Sequence, residues 1–198
     1  MIQTCPLVLA SGSHIRKKLL HAAGLRFEVC KPKVDEQAIT AANPQLSPTQ
    51  LAVTLARAKA LAETHDPQAL VVGADQVLEV DDKSLCKVQN LEDARSRLWR
   101  LRGREHFLTG ACVLARDGKI IWENNQRSKL TMRNFSQSAL DAYMEQTGKS
   151  ILASVGCYEL EAEGLSLFES LEGDYFAMLG LAVLPLLQAL RDHGGLQP

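Results

Sequence analysis

Short apolar runs alternate with amphipathic segments along the chain, which predicts strands interleaved with helices. Strands are predicted at residues 7–10, 27–29, 70–72, 77–80, 107–115, 119–123, 127–133 and 158–163. Helices are predicted at residues 14–23, from Ser47-Pro48 onward, at 91–101, at 136–146 and from 184–185 to 194. No repeat or linker divides the chain, so the pattern predicts one α/β domain over residues 1–198, with a mixed sheet flanked by helices.

The composition is that of a soluble globular protein. Apolar residues make up 46% of the chain, charged residues 23%, and the formal net charge is -1. This balance excludes intrinsic disorder and argues against stable nucleic-acid binding. The most apolar stretch, residues 177–187, is too short to span a bilayer, and no signal peptide is visible. Five scattered cysteines without CxxC spacing indicate reduced thiols, so we expect a cytoplasmic protein that does not bind membranes.

The turn Ser11-Gly12-Ser13 lies between the first predicted strand and the first predicted helix. Free backbone N–H groups at a helix start attract phosphate, and the two hydroxyls can add hydrogen bonds. Arg16, one turn into the helix, can bind phosphate oxygens with two N–H groups. The pattern therefore indicates a phosphate site, and an ordinary capped helix with surface cations is the alternative.

Two carboxylates are candidates for a metal site. Asp75 follows the predicted strand 70–72, and ligands of open α/β sheets bind beyond the carboxyl ends of strands. There it could bind a divalent ion or accept a proton from water, or simply form a turn. Glu36 could join Asp75 in holding a hard cation such as Mg²⁺, or it could be a solvated loop charge.

Two charged segments allow weaker interpretations. Alternation places Glu159, Glu161 and Glu163 on one face of the predicted strand 158–163, where they could hold a metal or form a wet sheet face. The arginines of residues 95–104 could contact nucleic acid, but their spacing also fits the solvated face of an amphipathic helix.

Several motifs occur in an order that resembles the Maf family of nucleoside triphosphate pyrophosphatases. They are Ala10-Ser11-Gly12-Ser13 with Arg16, Val34-Asp35-Glu36, Ala56-Arg57-Ala58-Lys59-Ala60, Val72-Gly73-Ala74-Asp75, Lys87, Arg102-Gly103-Arg104-Glu105-His106, Gly156-Cys157-Tyr158, Gly173-Asp174-Tyr175 and Gly180-Leu181. The resemblance implies an elongated, twisted mixed sheet with two lobes and a cleft. It also implies cleavage of a nucleoside triphosphate to the monophosphate and pyrophosphate, with Mg²⁺ or Mn²⁺, possible cleansing of the nucleotide pool, and a link to cell-division arrest.

The resemblance also implies a role for each matched residue. The side chains implied to bind substrate phosphates are Ser11, Ser13, Arg16 and Lys59. The implied catalytic group is Asp75, Lys87 and Glu36. Within it, Glu36 and Asp75 hold the metal, Asp75 accepts the proton of the attacking water, and Lys87 balances the triphosphate charge together with Lys59.

The chain departs from the family pattern at a few positions. His14-Ile15 replaces Pro-Arg, Gln76 replaces Thr, Val88 replaces Pro, and Glu161-Ala162 replaces Gln-Gly. These departures leave the preferred base open among dTTP, UTP and 7-methyl-GTP. They also leave open a catalytically weak nucleotide-binding regulator that acts through a partner protein. The sequence does not fix the oligomeric state, and a homodimer is one alternative.

Overall fold

The computed structural model describes residues 2–62 and 66–197. Within these ranges the strands are β1 (Leu7–Ala10), β2 (Glu28–Cys30), β3 (Leu70–Val80), β4 (Lys83–Leu85), β5 (Glu105–Arg116), β6 (Lys119–Met132) and β7 (Phe168–Glu172). The α-helices are α1 (His14–Ala22), α2 (Glu36–Ala42), α3 (Pro48–Leu61), α4 (Leu91–Leu101), α5 (Gln137–Thr147), α6 (Tyr175–Met178) and α7 (Val183–Asp192). Two 3₁₀ helices span Gly148–Ala153 and Glu163–Leu167.

All of these strands join one mixed sheet in the order β2-β1-β3-β5-β6-β7, with β4 paired to β3. β1 runs parallel to β2 and β3, whereas the other pairs are antiparallel. The predicted α/β class with a mixed sheet and flanking helices is therefore confirmed.

Helices cover the two faces of the sheet unequally. One apolar cluster packs α4 and α5 against Leu78 of β3, and a second packs α1 and α7 against Val72. Residues 72 and 78 lie on the same face of β3 because side chains alternate along a strand. A third cluster packs α3 against Val71 on the opposite face. The first face thus carries two separate helical layers, and the side chain of Gln76 lies between them.

Three strand predictions are wrong in their bounds or their existence. β3 does not end at Asp75 but continues to Val80, because β5 pairs with it from Val71 to Glu79. Residues 127–133 are not a separate strand, since β6 runs without a break to Met132. Residues 158–163 form turns and the start of a 3₁₀ helix, and the neighbouring edge of β6 is paired with β7 instead.

The helix predictions agree with the structure more closely than the strand predictions do. The helices at 14–23, 91–101 and 136–146 are confirmed with small shifts at their ends. Ser47 begins α3 with a capping box to Gln50, as the Ser-Pro pair predicts. Two short helices, α2 and α6, were not predicted. None of the helices in the described ranges is long and apolar enough to cross a membrane.

Candidate active site

An interruption in the pairing of β3 marks the candidate site. β5 occupies one edge of β3 along residues 71–79. The other edge pairs with β1 at residues 70–73 and with β4 at residues 78–80. Residues 74–77 therefore have no strand beside them on that edge within the described ranges. Asp75 lies in this gap, just past the carboxyl end of β1, although it is in the middle of its own strand.

Lys59 joins the two candidate carboxylates. Its Nζ lies 2.5 Å from Oδ1 of Asp75 and 2.7 Å from Oε1 of Glu36. The Lys59 and Asp75 side chains are buried, whereas the Glu36 side chain is 53% exposed. Glu36 is the first residue of α2, and the carboxylate of Asp35 caps this helix by accepting from the N–H of Ala38. The two predicted metal-binding carboxylates are therefore close neighbours on one ammonium group.

Gly73 allows α3 to approach β3 closely enough for this contact. A Cβ atom at Gly73 would lie 2.3 Å from the carbonyl oxygen of Ala56 and 2.8 Å from Cβ of Ala60. Both neighbours belong to α3, the helix that carries Lys59. Only glycine fits here, and the resulting backbone contact places Lys59 over Asp75.

Arg16 and Ser11 form the second half of the site. Arg16 is buried, and its Nη1 donates to Oγ of Ser11 at 3.0 Å. Oγ of Ser11 also accepts from the backbone N–H of Ser13 at 3.3 Å, and Oγ of Ser13 caps α1 by accepting from the N–H of Arg16 at 3.4 Å. Both hydroxyl oxygens act as acceptors here, so each O–H group can still donate to an anion.

Charges in the site influence one another. Burial raises the pKa of Asp75 above its usual value, while Lys59 and Arg16 oppose that rise and Glu36 adds to it. Burial lowers the pKa of Arg16, and Asp75 and Glu36 counteract this effect. Two carboxylates and two cations therefore balance one another, with Arg16, Lys59 and Asp75 buried and Glu36 half exposed.

Lys87 lies apart from this group. It is exposed and lines a cleft of about 420 Å³ between the segment after β4 and α4, together with Arg97 and Arg100. Neither Asp75 nor Lys59 lines that cleft. β4 runs antiparallel to β3, so the chain after Leu85 heads toward the gap that contains Asp75. The structure thus brings Glu36, Lys59 and Asp75 into direct contact and pairs Arg16 with Ser11. The two groups are close enough for the charges of Arg16 and Asp75 to interact. Ser13 is the helix cap beside them, and Lys87 lies in a neighbouring cleft.

Sequence reasoning missed two residues that support the site. Nε2 of Gln76 donates to the carbonyl oxygens of Ala177 and Met178 at 3.0 and 2.9 Å. The carbonyl oxygen of Gly180 accepts from Nε of Arg16 at 2.8 Å. Gln76 appeared only as a departure from the family pattern, and Gly180 only as part of the Gly180-Leu181 motif.

Of the two weaker charged segments, the acidic one does not form the predicted strand face. Glu161 and Glu163 are exposed and Glu159 is half-buried, but no strand aligns them on one face. The arginines of residues 95–104 are engaged within the protein: Arg95 with Asp141, Arg97 with Cys86 and Val155, Arg100 and Arg104 with Asp81, and Arg102 over the Trp99 ring. Arg95, Arg97 and Arg100 lie on α4, and the contacts favour the predicted solvated face of an amphipathic helix over a surface for nucleic acid.

Comparison with known proteins identifies the family. The family model described as Maf-like protein matches residues 6–193. The chain belongs to the Maf family. The resemblance of the motifs to the Maf family is thereby confirmed.

Curated relatives extend over nearly the full length of the chain. A nucleoside triphosphate pyrophosphatase of Maricaulis maris is 47% identical over 96% of this chain and 97% of its own length. A protein of the same name from Caulobacter vibrioides is 45% identical, with the same coverage. A 7-methyl-GTP pyrophosphatase of Rhizobium johnstonii is 41% identical over 98% of each chain. The names of these relatives agree with the activity that the Maf resemblance implies.

Proposed function

We propose that this protein hydrolyses a nucleoside triphosphate to the monophosphate and pyrophosphate. The observation that carries the proposal is the single cluster in which Lys59 bridges Glu36 and Asp75 beside Arg16 and Ser11. Full-length similarity to nucleoside triphosphate pyrophosphatases supports the reaction class. The cluster draws on the turn after β1 and on α1, α2, α3 and β3, which supports one catalytic domain.

The chemistry of the cluster fits a polyanionic substrate. Ser11, Ser13 and Arg16 present hydroxyl and guanidinium donors, and α1 adds the N–H groups of its first turn. The two cations of the cluster are already balanced by two carboxylates, so a triphosphate needs additional positive charge. Lys87, which is exposed near the open edge of β3, is the protein side chain that we propose for this purpose.

A divalent cation, Mg²⁺ or Mn²⁺, fits the same donor set. Glu36 and Asp75 already direct oxygens at one positive charge, the ammonium of Lys59. No group of three or more His, Cys, Asp or Glu side chains suited to a metal occurs among residues 2–62 and 66–197. Two carboxylates, completed by water and substrate phosphates, are a usual binding mode of Mg²⁺. When bound, such an ion screens the phosphate charge and stabilises the charge that develops on the leaving group.

We propose the following roles for the residues in the reaction. A water oxygen bonds to the α-phosphorus, and the bond from this phosphorus to the oxygen bridging to the β-phosphate breaks. The bridging oxygen leaves with the pyrophosphate. Asp75 accepts a proton from the attacking water, and the positive charges of Lys59 and Arg16 nearby favour its ionised form before that transfer.

Product analysis with isotope labelling tests the proposal. Nucleoside triphosphates, including UTP, dTTP and 7-methyl-GTP, are incubated with Mg²⁺ or Mn²⁺ in ¹⁸O-labelled water. We expect pyrophosphate as a product and the label in the monophosphate, because water attacks the α-phosphorus. Release of single phosphates, or label in the pyrophosphate, would contradict the mechanism.

Substitution of Asp75 tests the role of its carboxylate. Asp75→Asn keeps the shape of the side chain but cannot accept the proton, so we expect a loss of at least about 100-fold in kcat. Asp117→Asn is the matched control, because Asp117 lies in the β5–β6 turn with a φ of 49° that Asn tolerates. Full activity of Asp75→Asn would exclude Asp75 as the base. Tight binding without turnover in the wild type would instead favour the nucleotide-binding regulator.

A further inference from the structure

The segment from Gly173 to Gly180 crosses the sheet between its two helical layers and is anchored at three points. Near its beginning, the hydroxyl of Tyr175 donates to the carbonyl oxygen of Leu160 at 3.3 Å. In its middle, Gln76 donates to Ala177 and Met178. At its end, the carbonyl of Gly180 accepts from Arg16. The segment is therefore fixed to the neighbour of Asp75 and to the predicted phosphate-binding arginine.

The turn that ends α6 brings Phe176 close to Arg16. The N–H of Leu181 donates to the carbonyl of Phe176 at 3.1 Å, and the N–H of Gly180 donates to that of Ala177 at 2.9 Å. Gly180, with a φ of 105°, is the left-handed residue that such a helix end requires. The backbone of Phe176 thus lies one hydrogen bond from the peptide unit whose carbonyl binds Arg16.

Two aromatic rings are exposed on this fixed segment. Tyr175 and Phe176 are 43% and 40% exposed, whereas the next two residues, Ala177 and Met178, are buried. The backbone of α6 is held by its cap Asp174, which accepts from the N–H of Ala177. Exposed rings on a rigid support provide a stacking surface at a low cost in conformational entropy.

We propose that Tyr175 and Phe176 form the surface on which the nucleobase of the triphosphate stacks. The inference rests on the proposed function, because it places the phosphates at Arg16 and Ser11. A nucleotide carries its base one ribose away from its α-phosphate, so the surface that binds the base must lie close to the phosphate site. Two hydrogen bonds through the peptide unit of Gly180 and Leu181 link the backbone carbonyl of Phe176 to Arg16, which places α6 close to that site. Stacking accepts any base, so the aromatic pair supplies affinity for nucleosides as a class.

Binding measurements with and without a base test this surface. The probes are α,β-methylene analogues of UTP and GTP, which cannot be cleaved between the α- and β-phosphates, and inorganic tripolyphosphate. We expect Phe176→Ala and Tyr175→Ala to weaken binding of the analogues about tenfold each, measured by calorimetry. Binding of tripolyphosphate should stay within twofold of the wild type, because it has no base. Tyr175→Phe keeps the ring and should bind the analogues nearly as tightly as the wild type.

Trp99→Ala is the matched control. Trp99 is also 40% exposed, but it lies on α4 with its ring under Arg102. We expect this variant to bind all probes like the wild type. Phe176→Leu, which preserves apolar packing, keeps the test valid if the alanine variant unfolds, and it should also bind the analogues more weakly.

The possible results separate the inference from the proposed function. Equal losses for the analogues and tripolyphosphate, or no loss in either aromatic variant, would overturn the stacking surface. Equal affinity of the wild type for tripolyphosphate and for the analogues would also overturn the stacking surface. Loss of base-dependent binding in Phe176→Leu supports the stacking surface whether or not the wild type releases pyrophosphate. Absence of pyrophosphate release by the wild type would refute only the proposed activity.

Discussion

His106 is a buried ionisable group whose protonation should destabilise the fold. It is fully buried in β5, and its Nε2 lies 2.8 Å from the hydroxyl of Tyr158. Its Nδ1 has no hydrogen-bond partner among the described residues, and the Tyr158 and Phe168 rings pack around the imidazole. Burial lowers the pKa of His106 from 6.5 to about 4. The folded protein therefore holds a neutral imidazole at pH values where the unfolded chain would be protonated.

The sign and size of the effect follow from these two pKa values. Between pH 6.5 and about 4 the unfolded chain binds more protons at this residue than the folded protein does, so stability falls as the pH falls. Below the pKa of His106 in the folded protein, the total loss of unfolding free energy from this residue reaches about 3 kcal/mol. Between pH 7 and pH 5 the expected loss from His106 alone is about 2 kcal/mol.

Urea denaturation followed by circular dichroism at pH 7 and pH 5 measures this loss. His106→Gln cannot titrate in this range, so the difference in unfolding free energy between wild type and variant should shrink by about 2 kcal/mol at the lower pH. Other titrating groups are common to both proteins and cancel in the comparison. A difference between wild type and His106→Gln that is independent of pH would refute the argument.

Two further substitutions test how the site is supported. Gly73→Ala forces a Cβ into the space of the Ala56 carbonyl, so in urea titration it should lower the unfolding free energy by about 1–3 kcal/mol, and it should also reduce activity. Gly110→Ala is the control, because its Cβ would meet its nearest atom at 3.7 Å and should lower the unfolding free energy little. Gln76→Leu removes the side-chain hydrogen bonds to the carbonyl oxygens of Ala177 and Met178, although Ala177 keeps its bond from the N–H of Gly180. We expect a cost of about 1–3 kcal/mol in unfolding free energy and, in steady-state assays, a larger rise in KM than fall in kcat. An unchanged KM in that variant would show that the interaction with substrate does not depend on the contact between Gln76 and α6.

Local signals predicted the first strand and helix correctly because their determinants are adjacent in the sequence. Four apolar residues form β1, and Ser13 caps α1 through the N–H group of Arg16, three residues later. The strand predicted at 158–163 failed because alternation alone does not supply a sheet partner. The residue before it, Cys157, has a φ of 60°, which directs the chain into a turn.

The contact between Lys59 and the two carboxylates depends on packing and could not be read from local pattern. Lys59 lies on α3 and looks like any solvent-facing lysine in the sequence, yet its side chain is only 9% exposed. Its position depends on Gly73, where the absence of a side chain lets α3 approach the sheet. The family resemblance indicated that Lys59 matters, whereas the backbone contact explains how it reaches Asp75.

The location of the site follows from a mismatch in strand length. β1 has four residues and β3 has eleven, so β1 ends while β3 continues beside β5. The chain leaving β1 must turn at this point, and its Ser11 and the first turn of α1 then lie beside the unpaired edge of β3. Asp75 is therefore on a strand held by β5 but next to an edge that pairs with no other strand of the described residues. A carboxylate in a loop would be held less rigidly, so the mid-strand position suits the role that we propose for Asp75, which requires a fixed geometry toward phosphate.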